Sequence, residues 1–286
     1  MWEKSLMRLL YKRDFMALIS VSGATPNGDP LLGGRPRTDS NGFGMISDVC
    51  IKRKLRDRLS EMGENILVTS QHSGDDSIAK RIASLRGLDY SVLHEQACSH
   101  WYDVRAFGQV FAFKGAHSRF QDVRGAVTIQ HCFSLHPVEI VELPLTRCIN
   151  MSTEKRRSSD TLGSKSFVRY GLYVLKGSIN THYAAKNGFS DIDAEKLKAA
   201  LISLFQNDAS AARPEGSMIL ERLYWWKHST AYGDYPSHLV FDSVMPKLRE
   251  GVEKPLSFSD YEIFEQPLKG LSPEIFVFGR PLDVIV

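Results

Sequence analysis

Two periods of apolar residues run along this chain. Phe15-Met16-Ala17-Leu18-Ile19-Ser20-Val21 is a short apolar run that stops at a Gly/Pro-rich stretch, the pattern of a buried strand. Residues 22–46 hold several Gly and three Pro, and a loop of that length inside a compact domain is usually functional. Ser47 or Asp48 offers an oxygen to cap a following helix. Along that helix Ile51, Leu55, Leu59 and Met62 recur as one apolar stripe, and Lys52, Arg53 and Arg56 fall on a neighbouring face. Residues 64–102 read as an insertion of helical tendency. Strand patterns follow at Phe107–Phe113, Val123–Ile129 and Val138–Leu145. The polar, basic stretch 150–166 separates the last of these from the apolar run Phe167–Leu175, which predicts an extended hairpin. Ser190 and Asp193 have capping-box spacing ahead of a stripe of Leu197, Leu201, Leu204 and Phe205. Met218–Trp226 reads as a strand, and the tail from Pro236 is interrupted by Pro. The order strand, helix, strands, helix, strand predicts an α+β fold on a split βαβ, ferredoxin-like core carrying insertions.

Composition narrows the class only a little. The 286 residues suffice for one domain with large insertions or for two domains. Hydrophobic content of 43% permits a sizeable core, and a net charge of +3 does not by itself mark a nucleic-acid binder. Clustering of charge is the stronger signal. Cys50, Cys98, Cys132 and Cys148 are widely spaced without C-x-x-C, so neither a zinc ribbon nor a disulfide framework is expected. No apolar stretch is long enough to span a bilayer, and the N-terminus does not read as a secretory signal, so a cytoplasmic location and no membrane partner are expected.

Several motifs bear on chemistry. Lys52, Arg53 and Arg56 lie early in a helix, where the macrodipole disfavours cations, so an anion outside the helix is expected to compensate, a polyanion most simply. Exposed backbone N–H groups of the preceding Gly-rich loop also suit anions. That loop has neither a Walker lysine nor G-x-G-x-x-G, which argues against nucleotide hydrolysis. Asp29 follows Asn-Gly, where turn chemistry is the ordinary meaning and a general base or metal ligand for RNA cleavage the alternative. His94 and Cys98 share a helix face without the further ligands of a metal site, and no cofactor is expected. Trp225 and Trp226 are core candidates, with a base-stacking platform as the second reading. No RNP1-like aromatic motif supports base readout through a sheet.

Longer segments carry a resemblance. Asn27-Gly28-Asp29-Pro30, Ser47 to Arg58, Tyr102-Asp103-Val104-Arg105-x-Phe107-Gly108 and Val123-Arg124-Gly125 form the first group. Lys155 to Thr161, Tyr170 to Val174, Asn207 to Met218 and Tyr224-Trp225-Trp226-Lys227-His228 form the second. Together they resemble the repeated backbone subunit of type I-C CRISPR Cascade, of the RAMP superfamily. Two departures stand out: Leu31-Leu32 lacks the second acidic residue of that loop, and Ala126 replaces a Pro.

The resemblance implies a modified ferredoxin-like, RRM-like palm at 1–62, 106–147 and 169–286. It adds a helical finger insertion at 63–105 and a β-hairpin thumb at 148–168. Copies would stack along one CRISPR RNA as a non-catalytic filament, grip its backbone and leave bases free for target DNA, so that pairing chooses sequence. Other copies and the cap, large and small Cascade subunits would be partners. The implied RNA-binding residues are Asn27, Arg35, Arg37 and Ser47 of the loop and Lys52, Arg53 and Arg56 of the helix. Lys155, Arg156, Arg157 and Lys165 of the thumb would join them, with Met151 as a wedge between bases. Arg119 and Arg124 complete the set. The alternative implied function is a RAMP-type endoribonuclease using Asp29.

Overall fold

The computed structural model describes residues 8–69, 77–113, 120–146 and 162–278. Strand β1 (Arg13–Ala24) leads through two short strands, β2 (Gly28–Asp29) and β3 (Arg35–Pro36), to β4 (Phe43–Ile46) and helix α1 (Asp48–Glu61). Three helices follow, α2 (Ile78–Arg81), α3 (Tyr90–His100) and α4 (Tyr102–Phe107), then strands β5 (Gly108–Ala112), β6 (Phe120–Arg124), β7 (Val127–Ile129), β8 (Cys132–Pro137) and β9 (Ile140–Thr146). The long strand β10 (Leu162–Ile179) is followed by α5 (Thr181–Asn187), α6 (Asp191–Ile202) and β11 (Met218–Lys227). The tail adds α7 (Ser237–Asp242), β12 (Val244–Leu248), β13 (Tyr261–Glu265) and β14 (Pro273–Val277). No helix among the described residues is long and apolar enough to cross a membrane.

The result is a mixed α+β fold around one large antiparallel sheet, ordered β14-β11-β1-β10-β8-β4. Strand β10 is long enough to pair with β9 at one end, β8 in its middle and β7 at the other end. The β9–β10 ladder runs from Ile140↔Val168 to Thr146↔Leu162, so the hairpin expected from the flanking apolar runs is present; its tip lies outside the described residues.

Strand period 2 sorts the sheet into two buried faces. Phe15, Ala17 and Ile19 of β1 join Leu223 and Trp225 of β11 under α1 and α6, which contribute Ile51, Leu55, Leu59, Leu197 and Leu201. Met62 caps α1 and is partly exposed instead of extending the stripe. Met16, Leu18, Tyr170, Leu172, Tyr224 and Trp226 line the opposite face, which is covered by Val240 and Phe241 of α7 and by the β12–β13 ribbon. A third cluster, including Leu67, Leu85, Leu93, Trp101, Phe111 and Val123, unites the helical insertion with β5 and β6.

Val123–Ile129 is not one strand. Gly125 interrupts it, because its backbone passes so close to Ala106, Phe107 and Gly108 that a Cβ there would overlap main-chain atoms. Upstream of that glycine β6 pairs with β5, and downstream β7 joins β10. The expected capping box does form: Ser190 Oγ accepts from Asp193 N–H and the Asp193 carboxylate accepts from Ser190 N–H.

A buried polar knot fastens α7 to the sheet. Asp14 is fully buried and accepts from Lys12 Nζ and His228 Nε2, each at 2.9 Å, and from Ser237 Oγ at 3.0 Å. Asp234 N–H donates to His228 Nδ1, which places the imidazole proton on Nε2. Burial works against ionisation of Asp14, but the hydrogen bonds from His228 and Lys12 outweigh it and hold the carboxyl below its ordinary value. A depressed folded pKa contributes stability that is complete above the unfolded value of about 4 and is lost as pH falls through the folded value. The expected result is a stability loss steepening below about pH 4, and a shallower acid limb in Asp14→Asn, read by urea midpoints across pH.

Candidate nucleic-acid interface

The loop after β1 folds into a clasp at the start of α1. Asn27 Oδ1 accepts from Ser47 N–H at 3.0 Å, and Asn27 C=O accepts from Arg37 N–H at 2.9 Å. Ser47 caps α1 through its Oγ, which accepts from Cys50 N–H at 3.2 Å. Asp29 turns the clasp: Oδ1 accepts from Leu31 N–H at 3.0 Å and Oδ2 from Arg37 Nη1 at 3.3 Å. Gly33 and Gly34 then take φ of 64° and 84°, a left-handed conformation that suits glycine. Arg35 reaches the hairpin, with Nε 3.2 Å from Glu142 Oε1.

The structure therefore gathers Asn27, Arg37 and Ser47 at one corner, links Arg35 to the hairpin, and sets Lys52 just over a turn into the helix. Lys52 pairs with Asp48 at 3.0 Å and Arg53 with Asp57 at 2.9 Å, both one turn along α1. Their side chains retain 22% and 40% exposure. Arg56 differs. It is 12% exposed, bonds buried Asp103 at 2.8 Å and lies 5.2 Å from the centre of the Phe107 ring. A partner outside the helix is expected for these cations, and Asp103 of α4 is one for Arg56, whereas Lys52 and Arg53 pair with Asp48 and Asp57 of α1 itself. Such exposed one-turn pairs are weak and leave Lys52 and Arg53 able to meet a further anion.

Of the remaining expected positions, Lys165 is half-buried on β10 opposite Leu143. Arg124 is exposed on β6, 3.4 Å from Tyr183 Oη and 3.9 Å from Asp122. Arg119, Met151, Lys155, Arg156 and Arg157 lie outside the described residues. His131 was missed by sequence reasoning. Its Nδ1 accepts from Asp48 N–H at 3.1 Å, beside the clasp. Only the unread strand β8, which starts at the next residue, would have brought it to notice.

Other candidates resolve differently. Cys98 is buried and its thiol is pushed up to about 12, while His94 Nε2 hydrogen-bonds Asn187 Oδ1 at 3.1 Å. Among the described residues no group of three or more His, Cys, Asp or Glu could hold a metal ion. Trp225 and Trp226 are both 1% exposed on opposite faces of the sheet, so neither offers a ring to a base.

The family model for CRISPR-associated protein Cas7 matches residues 11–265. The chain belongs to the Cas7 family. The Cas7 match spans the clasp, α1, the central sheet except β14, and the β12–β13 ribbon. A CRISPR-associated Cas7 protein of Haloferax volcanii is 26% identical over 229 residues, covering 72% of this chain and 67% of that one. A chain of the solved "CRISPR RNA-guided surveillance complex, pre-nicking" is 16% identical, covers 79% of each chain and superposes with a TM-score of 0.51. At that identity it is the fold that is shared.

Proposed function

We propose that this Cas7-family chain is a non-catalytic backbone subunit of a type I-C Cascade complex in the cytoplasm. It holds CRISPR RNA by its sugar-phosphate chain and presents bases to target DNA. Copies stack along the guide and meet the cap, large and small subunits. Residues 1–62, 106–147 and 169–286 serve as an RRM-like palm, 63–105 as helical fingers and 148–168 as the thumb. The central order β11-β1-β10-β8 with α1 and α6 on one face supports that palm.

The observation that carries the reading is the clasp beside a sheet covered on both faces. Bases have no platform on the sheet, whereas the side chains of Arg35 and Arg37 in the clasp and of Lys52 and Arg53 on the following helix remain partly exposed. Cationic side chains of this kind suit phosphates and leave bases unread. Both carboxylate oxygens of Asp29 are engaged in building the clasp, which favours the structural role over a nuclease.

Binding to single-stranded RNA across a salt series tests this. Each phosphate contact removed by Arg37→Ala or Lys52→Ala should lower the slope of log affinity against log salt by about 0.7. Slopes equal to wild type in both variants would remove the clasp from the interface. RNA paired to the bound guide should stay intact with magnesium. Regular cuts abolished by Asp29→Asn would establish the nuclease instead.

A further inference from the structure

The cations in and beside the clasp suit phosphates, and phosphates are the same in RNA and DNA. The group that separates the two chains is the 2′-hydroxyl, which only RNA carries. A carrier of RNA that presents bases to DNA is served by a contact to it.

His131 has the features of such a contact. It joins β7 to β8, and both flanking residues are pinned. Gln130 N–H donates to Lys176 C=O at 2.9 Å, and Cys132 is buried opposite Ile46 of β4. The His131 side chain is 52% exposed. Its Nδ1 accepts from Asp48 N–H at 3.1 Å, so the neutral ring carries its proton on Nε2. Asp48 Oδ1 lies 3.4 Å from the same nitrogen, and the other oxygen of that carboxylate pairs with Lys52 at 3.0 Å. Nε2–H has no hydrogen-bond partner among the described residues. One end of the ring is thus fastened to the first turn of α1, next to the Ser47 cap, and the other end is a free donor.

An uncharged donor adds little to the phosphate attraction that Arg37 and Lys52 supply. Held at one end, it loses little freedom on binding, and a neutral oxygen suits it. A phosphate that meets Lys52 brings its attached ribose to the same place. We infer that His131 Nε2–H donates to a ribose 2′-hydroxyl and makes the clasp prefer RNA to single-stranded DNA. The inference rests on the guide-holding reading above and adds a residue of specificity to it.

Fluorescence anisotropy of the full chain tests it, in mildly alkaline buffer, on an RNA short enough for one copy and on DNA of the same sequence. Wild type should bind the RNA more tightly. His131→Ala should weaken RNA binding by roughly three- to tenfold, the worth of one neutral hydrogen bond. DNA binding and the salt slope should not change, because a neutral donor displaces no counterion. Two conservative variants separate contact from scaffolding. Asparagine can offer an oxygen to Asp48 N–H but has no donor at the far end, so His131→Asn should lose the preference as alanine does. Glutamine reaches the far end, so His131→Gln should retain part of it. The reverse order would overturn the inference, since capping α1 alone would give that order. Equal losses on RNA and DNA in His131→Ala, or a wild type with no preference, would overturn it too, while the slopes of Arg37→Ala and Lys52→Ala still judge the clasp. A wild type that binds neither strand would overturn the guide-holding reading as well.

Discussion

Replacing Asp103 by alanine should destabilise the protein by about 4 kcal/mol, the loss typical of breaking a buried charge pair. Asp103 is 1% exposed and serves three donors: Arg56 Nε and Leu67 N–H at 2.8 Å each, and Val68 N–H at 3.2 Å. Its removal leaves a nearly buried guanidinium without a counter-charge and two backbone N–H groups without acceptors. Urea unfolding at constant m value reads the loss as a shift in midpoint. Adding Arg56→Leu should recover only the part due to the unpaired cation, since the orphaned amides still cost roughly 1–3 kcal/mol each. Full recovery in the double variant would show that the amides find other partners. Arg56→Ala alone should also destabilise, so a drop in RNA affinity in that variant reports on folding before it reports on phosphate contact.

Trp226→Ala should cost about 3–5 kcal/mol, the usual range for a large aromatic removed from a core. The ring is stacked on Tyr224 at a centroid distance of 5.8 Å and packed in the cluster beneath α7 and the β12–β13 ribbon. Under conditions where the variant remains folded, its salt slope for RNA should equal that of wild type. A flattened slope with unchanged stability would return this tryptophan to the interface as a stacking platform.

The parts legible in the sequence are those where one side chain pattern has one meaning. The run Phe15–Val21 formed the buried strand that its short length and the following Gly/Pro loop predicted, and Ser190 with Asp193 capped α6 as their spacing implied. The stripe Ile51, Leu55, Leu59 packed as expected, whereas Met62 fell beyond the helix end. Strand β8 escaped notice because Ser134 and His136 interrupt it with polar groups that the fold satisfies from afar: Ser134 Oγ accepts from Gly44 N–H and His136 Nδ1 meets Tyr261 Oη. The tail hid its ribbon behind Pro246 and a long turn.

The site was half legible. The Gly/Pro loop and basic helix stood out, and so could the i,i+4 pairs Asp48–Lys52 and Arg53–Asp57 have done, had carboxylates been weighed with the cations. The pairing of Arg56 with Asp103, 47 residues apart, and the bond from Ser47 N–H to Asn27 are products of tertiary folding that no local spacing announces.

The cover laid over the outer face of the sheet by α7 and the β12–β13 ribbon has an evolutionary corollary. Side chains beneath it answer to packing, so mutation there is screened by stability before it can create a taste for any nucleotide. If the chain carries guide RNA as proposed, a carrier built this way is indifferent to the message it holds.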